Sequence, residues 1–492
     1  MDRRTFIRGA AAGVGTAALS GGQAFARGPE PAVVGESPYG PLASVPDANG
    51  LLLPDGFSSR VIAVAGEPVG STTHRWHVYP DGGGVVPTDD GGWIYVSNSE
   101  VFPSTAPAAG GVSAVRFSAR GDIVDAYPLL AGSTSNCAGG MTPWGTWMSC
   151  EEDPTGRGLL WECDPTGVRP AIAREAMGLW RREAATVDPV RGHVYMTEDD
   201  PEGCLYRFTP DTSADLSAGI LEVCVVSGDV VSWERIDDPS GASVPTRAQV
   251  SNATVFPGNE GIWFHDDGIY FCTKYDHSVH FIDVRDGKYR LLWAGDPDTL
   301  GVDDAVLSHV DNITVREDGH IFVAEDGGNM ELVVMSPDGS LAPFLRIVDQ
   351  EWSEITGPAF SPDGSRLYVS SQRAPTPSSI NTMIDTAEDH QRCGVTYEIT
   401  GPFNLAAAAI PSTSTTVVPT TVPPTTAPPA PNPVASTSPA TTLAAASSNA
   451  ATRGTARSWR VPIGVAIAGS LAAGALGLMA RRRRAVGAPD EG

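Results

Sequence analysis

The stretch GHIFVAEDGGNMELVVMSPDGS, residues 319–340, contains the unit from which the fold is inferred. It begins with a short apolar run, passes through the polar cluster EDGGN, enters a second apolar run and ends at the turn PDG. Short runs rich in β-branched and aromatic residues, bounded by Gly, Asp and Pro, are typical of β-strands. The stretch therefore predicts two neighbouring strands joined by an acidic loop.

Similar units recur on both sides of this stretch. They are GGWIYVSNSE (91–100) with VSAVRFSARGDIV (112–124), GTWMSCEED (145–153) with GLLWECDPTG (158–167), GHVYMTEDDPEGCLYRFTPD (192–211), GIYFCTKYDHSVHFIDVRDG (268–287), and SRLYVSSQRA (365–374) with GVTYEI (394–399). Their equivalent polar positions are Glu100, Glu151, Glu198, Tyr275, Glu325 and Gln372, at spacings of 51, 47, 77, 50 and 47 residues. Repeats of about 40–50 residues with several strands each are typical of β-propellers. We expect an all-β propeller of about six blades with a loop insertion near residues 229–251; the alternative is an array of β-sandwiches.

The repeat also predicts a cluster of acidic side chains. In a propeller, one position of every blade faces the same part of the central channel, so the polar strand ends meet at one mouth. The acidic residues expected there, besides Glu100, are Glu151, Glu152, Glu198, Asp199, Glu325 and Asp326, and Glu183, Glu260 and Asp311 could enter the same channel from other strands. So many carboxylates cannot ionise together without cations. We expect multivalent metal ions: Ca²⁺, Mg²⁺ or Mn²⁺ for oxygen ligands alone, or a transition metal if sulfur or nitrogen joins them. For any single carboxylate, the alternative is a solvated turn residue.

Charge and cysteine content restrict the partners. The chain carries a net charge of −25, and without its basic ends, residues 1–26 and 451–492, the remainder carries −32. Such a domain should repel nucleic acid and attract cations, although solubility outside the cell would also account for the charge. The seven cysteines leave at least one thiol unpaired if the others form disulfides. The remaining thiol is either a buried free cysteine or a metal ligand.

The two ends of the chain predict export and anchoring. Residues 1–26 contain Arg3-Arg4, a weakly apolar stretch and the cleavage pattern AFA, which predict a twin-arginine signal peptide; an ordinary secretory signal is the alternative. The globular domain is placed at 27–404, a Pro/Thr/Ser-rich disordered linker at 405–458, a transmembrane helix at 459–481 and a basic cytoplasmic tail at 482–492. This layout predicts a protein on a bacterial cell surface.

The run NCAGGMTPWGTWMSCEE, residues 136–152, resembles the signature of the PhoX-type alkaline phosphatases. Further segments that resemble the same family are RWHVYPDGGG (75–84), GGWIYVSNSE (91–100), AATVDPVRGHVYMTED (184–199), DNITV (311–315), VAEDGGNMEL (323–332) and GPAFSPDGSRLYVSSQR (357–373). Together these segments span almost the whole domain. The resemblance implies a propeller fold, export by the twin-arginine route, and hydrolysis of small-molecule phosphate esters at a site of iron and calcium ions.

The resemblance also implies roles for individual residues. A cysteine thiolate is an iron ligand in the family, for which Cys137 is the first candidate and Cys150 the second. The implied iron carboxylates are Glu183, Glu260 and Asp311, and the implied calcium ligands are Glu151, Glu152, Glu198, Asp199, Glu325 and Asp326. Arg373 and Lys274 are the candidates for holding the phosphate, since a positive side chain should do so; a plain surface cation is the alternative for both.

The sequence departs from the family pattern in two ways, and two other functions also agree with it. Gly258-Asn259 precede Glu260 where the family pattern leads us to expect a basic residue, and the domain is shorter than the best-known members. The alternatives are a non-catalytic surface propeller stabilised by calcium, and a calcium-dependent hydrolase of the lactonase type. The expected quaternary state is a monomer.

Overall fold

The structure, a computed structural model, describes residues 28–106, 108–295, 306–373 and 394–404 of the 492-residue chain. All of them belong to one compact unit, Met1–Ser412. The predicted signal peptide, linker, membrane helix and basic tail lie outside the described residues. None of the helices in the described part of the chain has the length and apolar character that crossing a membrane requires.

The secondary structure of the described residues consists of β-strands and two single-turn 3-10 helices, Glu175–Met177 and Thr246–Ala248. Three strands precede the repeats: β1 (Val33–Val34), β2 (Leu51–Leu52) and β3 (Ser58–Val64). The first two repeats form two four-stranded antiparallel sheets. Their strands are β4 (Pro80–Pro87), β5 (Trp93–Ser99), β6 (Gly110–Phe117) and β7 (Ile123–Ser133), then β8 (Asn136–Met141), β9 (Trp147–Glu151), β10 (Leu160–Cys163) and β11 (Ile172–Ala173).

The third and fourth repeats share one nine-stranded sheet. Its strands are β12 (Arg182–Val187), β13 (Val194–Glu198), β14 (Leu205–Thr212), β15 (Asp215–Ser227) and β16 (Val230–Arg235), then β17 (Asn259–His265), β18 (Gly268–Thr273), β19 (Ser278–Asp283) and β20 (Lys288–Ala294). A single residue pair, Val230 with Lys288, connects β16 to β20. Strand β16 and the helix Thr246–Ala248 lie in the segment for which the spacing predicted an insertion.

The last two repeats complete the arrangement. Strands β21 (Val310–Val315), β22 (Ile321–Glu325), β23 (Glu331–Met335) and β24 (Ser340–Ile347) form one sheet, to which β1 and β2 add at the β24 edge. Strands β25 (Ile355–Phe360), β26 (Arg366–Ser371) and β27 (Val395–Thr400) form the other, and β3 pairs with β27. The final sheet is therefore built from strands near both ends of the described chain, and the pairing of β3 with β27 closes the arrangement of sheets.

Six strands, one from each repeat, surround the centre: β4, β8, β12, β17, β21 and β25, here called the inner strands. Each contacts the next along the chain, and β25 contacts β4, so the inner strands form a closed ring. The apolar core lies in the layers between successive sheets; one layer, for example, packs Phe322 and Leu332 against Leu367 and Ile399. The predicted all-β, propeller-like fold is confirmed.

Candidate metal centre

The second residue of every inner strand occupies an equivalent place at one end of the ring. These residues are Asp81, Cys137, Glu183, Glu260, Asp311 and Thr356. In five of the inner strands, the pairing register with the next strand shifts at this point. In β25 the shift comes one residue later, and Thr356 is paired with Ser370. A bulge of this kind leaves a residue unpaired and redirects its side chain, and such bulges often lie beside functional sites. The repeated bulge thus gives five ligand-type side chains the same placement.

The residue that follows each of these positions is small or, once, an asparagine: Gly82, Ala138, Ala184, Gly261, Asn312 and Gly357. Neighbouring inner strands approach so closely here that a Cβ on Gly82 would lie 2.4 Å from the Cα of Ala138. A Cβ on Gly261 would lie 2.7 Å from the Cα of Asn312. Glycine permits this close backbone approach, and the approach draws the preceding acidic side chains together.

A second set of polar side chains follows the ends of the neighbouring strands. It consists of Glu100, Glu152, Asp199, Lys274, Asp326 and Gln372, each directly after the last residue of its strand. Glu354, directly before β25, joins them. Both sets are brought together because the two strands of each pair are antiparallel, so one begins where the other ends.

The acidic side chains and one thiol form four overlapping groups in which every ligand atom lies within 4.8 Å of the others. The groups are Asp81–Glu100–Cys137, Cys137–Glu152–Glu183, Glu183–Glu260–Asp311 and Asp311–Asp326–Glu354. Since Cys137, Glu183 and Asp311 each belong to two groups, the four form one continuous cluster, here called the central cluster.

Glu183 is the residue whose environment most requires a cation. Its side chain is 1% exposed, and neither carboxylate oxygen has a hydrogen-bond partner among the described residues. A buried carboxylate without hydrogen bonds or a counter-charge is strongly destabilising in its ionised form. Glu183 also belongs to two of the four groups, so its oxygens are placed to bind metal ions on both sides.

Burial and mutual repulsion raise the pKa values of the central cluster. Burial, followed by the charge of Asp311, raises the pKa of Asp81 to about 7. Burial and the charge of Asp81 raise the pKa of Glu100 to about 7, and burial raises that of Asp311 to about 6. The same causes hold the pKa values of Glu183 and of the Cys137 thiol well above their usual ranges. Without cations the cluster therefore retains protons, and bound cations would displace them.

The donor chemistry of the groups fits more than one kind of ion. Two groups contain the Cys137 sulfur, which lies 3.5 Å from Asp81 Oδ2. Thiolate together with carboxylate suits a transition metal. The other two groups offer carboxylate oxygens alone, as hard cations such as calcium prefer. The residues therefore fit a mixed metal centre.

Three cationic side chains border the central cluster. Lys274 Nζ lies 2.8 Å from Glu260 Oε1, 3.8 Å from Asp199 and 3.9 Å from Asp326. Arg373 donates to Asp326 at 3.0 Å and to Glu354 at 2.8 Å. Arg181 pairs with Glu152, and with Asp199 at 3.1 Å. Although burial opposes it, Arg373 and then Lys274 lower the pKa of Asp326 to about 2.

The structure brings together most of the sequence-predicted residues. Those within the four groups are Glu100, Cys137, Glu152, Glu183, Glu260, Asp311 and Asp326. Asp199 lies beside the cluster through its contacts with Arg181 and Lys274. Cys150 instead packs in the apolar layer with Met148 and Leu160.

Three of the carboxylates expected at the centre are placed elsewhere. Glu151 accepts hydrogen bonds from the Leu159 N–H and the Trp161 indole, both at 3.0 Å. Glu198 accepts from Tyr206 at 2.7 Å and from Arg247 at 2.6 Å.

Glu325 is bound by the N–H groups of Ser308 at 2.7 Å and Glu331 at 3.0 Å. Each of these three residues comes one position before Glu152, Asp199 or Asp326, and alternate residues of a strand face opposite sides. At these three positions, the alignment of the sequence repeats therefore chose the residue one position before the one that reaches the centre. In the fourth repeat it chose Tyr275, although Lys274 is the structural equivalent.

Sequence reasoning missed Asp81, Glu354 and Arg181. Asp81 lies in YPDGGG, whose PDG is also the turn signal of other repeats, yet here it begins an inner strand. The glycine-rich run after it was the available signal, because close strand approach needs glycine. Glu354 and Arg181 lie directly before inner strands, and the repeat pattern did not mark either of them as a site residue.

Comparison with known proteins gives one family. The model of the family described as alkaline phosphatase PhoX matches residues 82–161, 153–290 and 290–375, which is more than half of the chain. No curated protein matches the sequence.

Among solved structures, Pseudomonas fluorescens PhoX in complex with vanadate, a transition state analogue, is similar with a TM-score of 0.58 and 17% identity, over 76% of this chain and 97% of that one. A gluconolactonase from Xanthomonas campestris has a TM-score of 0.40 and 12% identity, over 74% and 99%. Regucalcin, a calcium-binding protein from Agrobacterium tumefaciens, has a TM-score of 0.34 and 17% identity, over 70% and 96%.

Proposed function

Because the chain belongs to the alkaline phosphatase PhoX family, we propose that the central cluster is the active site of a metal-dependent phosphatase that hydrolyses phosphate esters. The observation that carries the proposal is Glu183, a buried carboxylate with two unpartnered oxygens that belongs to two potential metal groups. A purely structural acid would have found hydrogen bonds, as Glu151, Glu198 and Glu325 do.

We propose iron at the two groups that contain Cys137 and calcium at the two that contain carboxylates alone. When bound, these ions supply Lewis-acid neutralisation of the charge that develops on the phosphate. Gln372 donates to Asp81 at 2.7 Å and to Glu100 at 2.9 Å. This amide therefore restrains two carboxylates of the first group, which would hold them in place for a bound metal ion.

Lys274 and Arg373 are proposed as the residues that bind the phosphate. Both contact Asp326, one on each carboxylate oxygen, so they flank one spot at the border of the cluster. The planar guanidinium of Arg373 can donate two parallel hydrogen bonds to a phosphate, and the Lys274 ammonium adds a compact charge. Metal ions on the carboxylates would release both cations from their present partners toward the substrate.

The test is a paired substitution with two measurements. Glu183→Gln keeps the side-chain volume but removes the charge, and we expect it to lower the metal content and to reduce p-nitrophenyl phosphate hydrolysis by about 100-fold or more. The control is Glu222→Gln, which breaks a partly exposed ion pair with Arg207 in the same sheet and should change neither quantity. Full metal content and activity in Glu183→Gln would overturn the assignment, as would a metal-loaded wild type that cleaves no phosphate monoester or diester.

The architecture, cofactors and location around this site are also proposals. Each of the six strand groups would be one blade, the catalytic domain would occupy residues 27–404, and the protein would be a monomer. A twin-arginine signal at 1–26 would export it, and a helix at 459–481 would anchor it to the bacterial cell surface, where it would release phosphate from small-molecule esters. Replacing Arg3-Arg4 by two lysines should abolish export; secretion at the normal level would contradict the proposed route.

A further inference from the structure

Tyr275 stands out because it is an aromatic residue, half exposed, at the border of the central cluster. Its exposed fraction is 49%, and it directly follows Lys274, whose ammonium lies 2.8 Å from Glu260. Burial and the charge of Asp199 raise the pKa of its hydroxyl, whereas the charges of Lys274 and Arg181 lower it, so the hydroxyl lies among these groups. Arg181 in turn pairs with Glu152 and Asp199. One edge of the ring therefore faces the same charged groups that surround the proposed phosphate site.

The backbone holds the Tyr275 ring in a defined place. The Lys274 N–H donates to the Gly258 carbonyl at 2.7 Å, and the Tyr275 N–H donates to the Pro257 carbonyl at 3.3 Å. Gly258 has a φ of +63°, and a Cβ there would lie 2.8 Å from Tyr275 Cδ2. The ring thus lies against the bare backbone of a residue whose conformation and contact both favour glycine. A ring held on one side and exposed on the other offers a fixed flat surface.

We propose that Tyr275 is a specificity-determining residue that stacks on the organic group of the substrate and selects phosphate esters with a flat leaving group, aryl or nucleoside. This inference rests on the proposed phosphatase function. Tyr275 directly follows Lys274, and both residues have Asp199 as a charged neighbour, so we place the organic group of a phosphate ester held by Lys274 beside the Tyr275 ring. Aromatic rings prefer offset or edge-to-face contact with another ring, and stacking on a base is tolerant of its identity. An alkyl ester, such as a glycerol phosphate, has no such face.

The experiment compares an aryl with an alkyl substrate in three proteins. We expect the ratio of kcat/KM for phenyl phosphate to that for glycerol phosphate to fall by about 3- to 10-fold in Tyr275→Leu. Tyr275→Phe keeps the ring and should keep the wild-type ratio. Because phenyl phosphate is intrinsically the more reactive ester, only the change of the ratio between proteins is informative. An unchanged ratio in an active Tyr275→Leu enzyme overturns the inference and leaves the phosphatase function intact.

A binding measurement separates failure of the inference from failure of the function. Phenylphosphonate and methylphosphonate cannot be hydrolysed at an ester bond, and their affinities for the metal-loaded protein are measured by calorimetry. Tyr275→Leu should lose the preference for phenylphosphonate by the same factor, whether or not the protein turns over any ester. Equal preference in wild type and Tyr275→Leu refutes the stacking role even if the phosphatase assay is negative.

Discussion

Removing the metal ions should make the stability of this protein fall as the pH rises from about 5 to about 7. The prediction follows from Asp81, Glu100 and Asp311, whose pKa values in the metal-free fold are raised to about 7, about 7 and about 6. A carboxyl group with a raised pKa binds its proton more tightly in the folded than in the unfolded state. Its contribution to stability is complete below the unfolded pKa and is lost as the pH rises through the folded pKa.

The magnitude can be worked from one residue. For Asp81, the change from the ordinary value of 3.8 to about 7 corresponds to about 4 kcal/mol of stability lost by neutral pH, since one pKa unit is worth about 1.4 kcal/mol. Because the acids of the cluster are coupled, their protons cannot be assigned singly. A single extra proton on the folded state already gives a slope of about 1.4 kcal/mol per pH unit. Asp326, with its pKa lowered to about 2, has the opposite effect, but only at lower pH. Burial lowers the pKa values of His77, His280 and His277 to about 3, about 3 and about 4, and these groups oppose the slope up to about pH 6.5. They are outnumbered by the carboxyl groups with raised pKa values, which besides the three above include Glu152, Glu183, Glu260 and Glu354.

The assay is urea unfolding followed by tryptophan fluorescence, which the 11 tryptophans of the chain allow. The chelated protein should lose stability between about pH 5 and about pH 7, whereas the metal-loaded protein should not, because bound cations keep the carboxylates ionised. Asp81→Asn should reduce the slope of the chelated protein, and Asp122→Asn, at an exposed surface position, should leave it unchanged. A stability of the chelated protein that stays constant or rises over this range would refute the reasoning.

Three further predictions concern single residues. Lys274→Met should reduce kcat/KM for p-nitrophenyl phosphate by about 100-fold, whereas Lys288→Met, at the other lysine of the chain, should retain the wild-type value. Glu151→Ala should destabilise the protein by about 1–3 kcal/mol in urea unfolding, since it leaves two partly buried donors unsatisfied, but its metal content should stay at the wild-type level; a loss of metal with unchanged stability would make Glu151 a ligand. Gly82→Ala should lower the metal content, because its Cβ would lie 2.4 Å from the Cα of Ala138; wild-type metal content would show that the inner strands can move apart.

The fold could be predicted from the sequence because the repeats have a regular spacing. Short apolar runs, turns and one polar strand end recur at similar intervals, and this pattern is imposed by local backbone geometry. The spacing also identified the segment in which β16 and the helix Thr246–Ala248 are found. Closure of the last sheet by β3 was not predicted, because Ser58–Val64 lies far from β27 in sequence and its partner cannot be read from its own residues.

The candidate site could be predicted in composition but not in detail. The acidic strand ends indicated a metal cluster, yet of the consecutive acids Glu151, the last residue of β9, and Glu152, which follows it, only Glu152 belongs to the central cluster. If the pairing register of the strand shifted by one residue, Glu151 instead of Glu152 would reach the centre. The bulges of the inner strands set this register, and a bulge has no sequence signal stronger than a small residue such as Gly82 or Ala138. Asp81 was missed for that reason.

The six equivalent positions of the ring show how a repeated fold produces an asymmetric site. The bulges place five ligand-type side chains alike, so any difference between the metal groups must come from side-chain identity; these are Asp81, Cys137, Glu183, Glu260 and Asp311. The thiol occurs in the second strand group, whereas Lys274 and Arg373 occur in the fourth and sixth. The thiol therefore lies on one side of the centre and Lys274 and Arg373 on another, while Arg181 borders a group that contains the thiol. A phosphate drawn to the cations would meet the all-carboxylate metal groups first, since Asp326 and Glu354 contact Arg373 directly. At the sixth position the bulge of β25 begins one residue later, so Thr356 pairs with Ser370, and its hydroxyl donates to the Pro80 carbonyl at 2.7 Å. If the bulges set the arrangement of ligands, Thr356→Asp should leave the metal content unchanged. A higher metal content in a folded Thr356→Asp protein would show that a place in the ring is sufficient without the bulge.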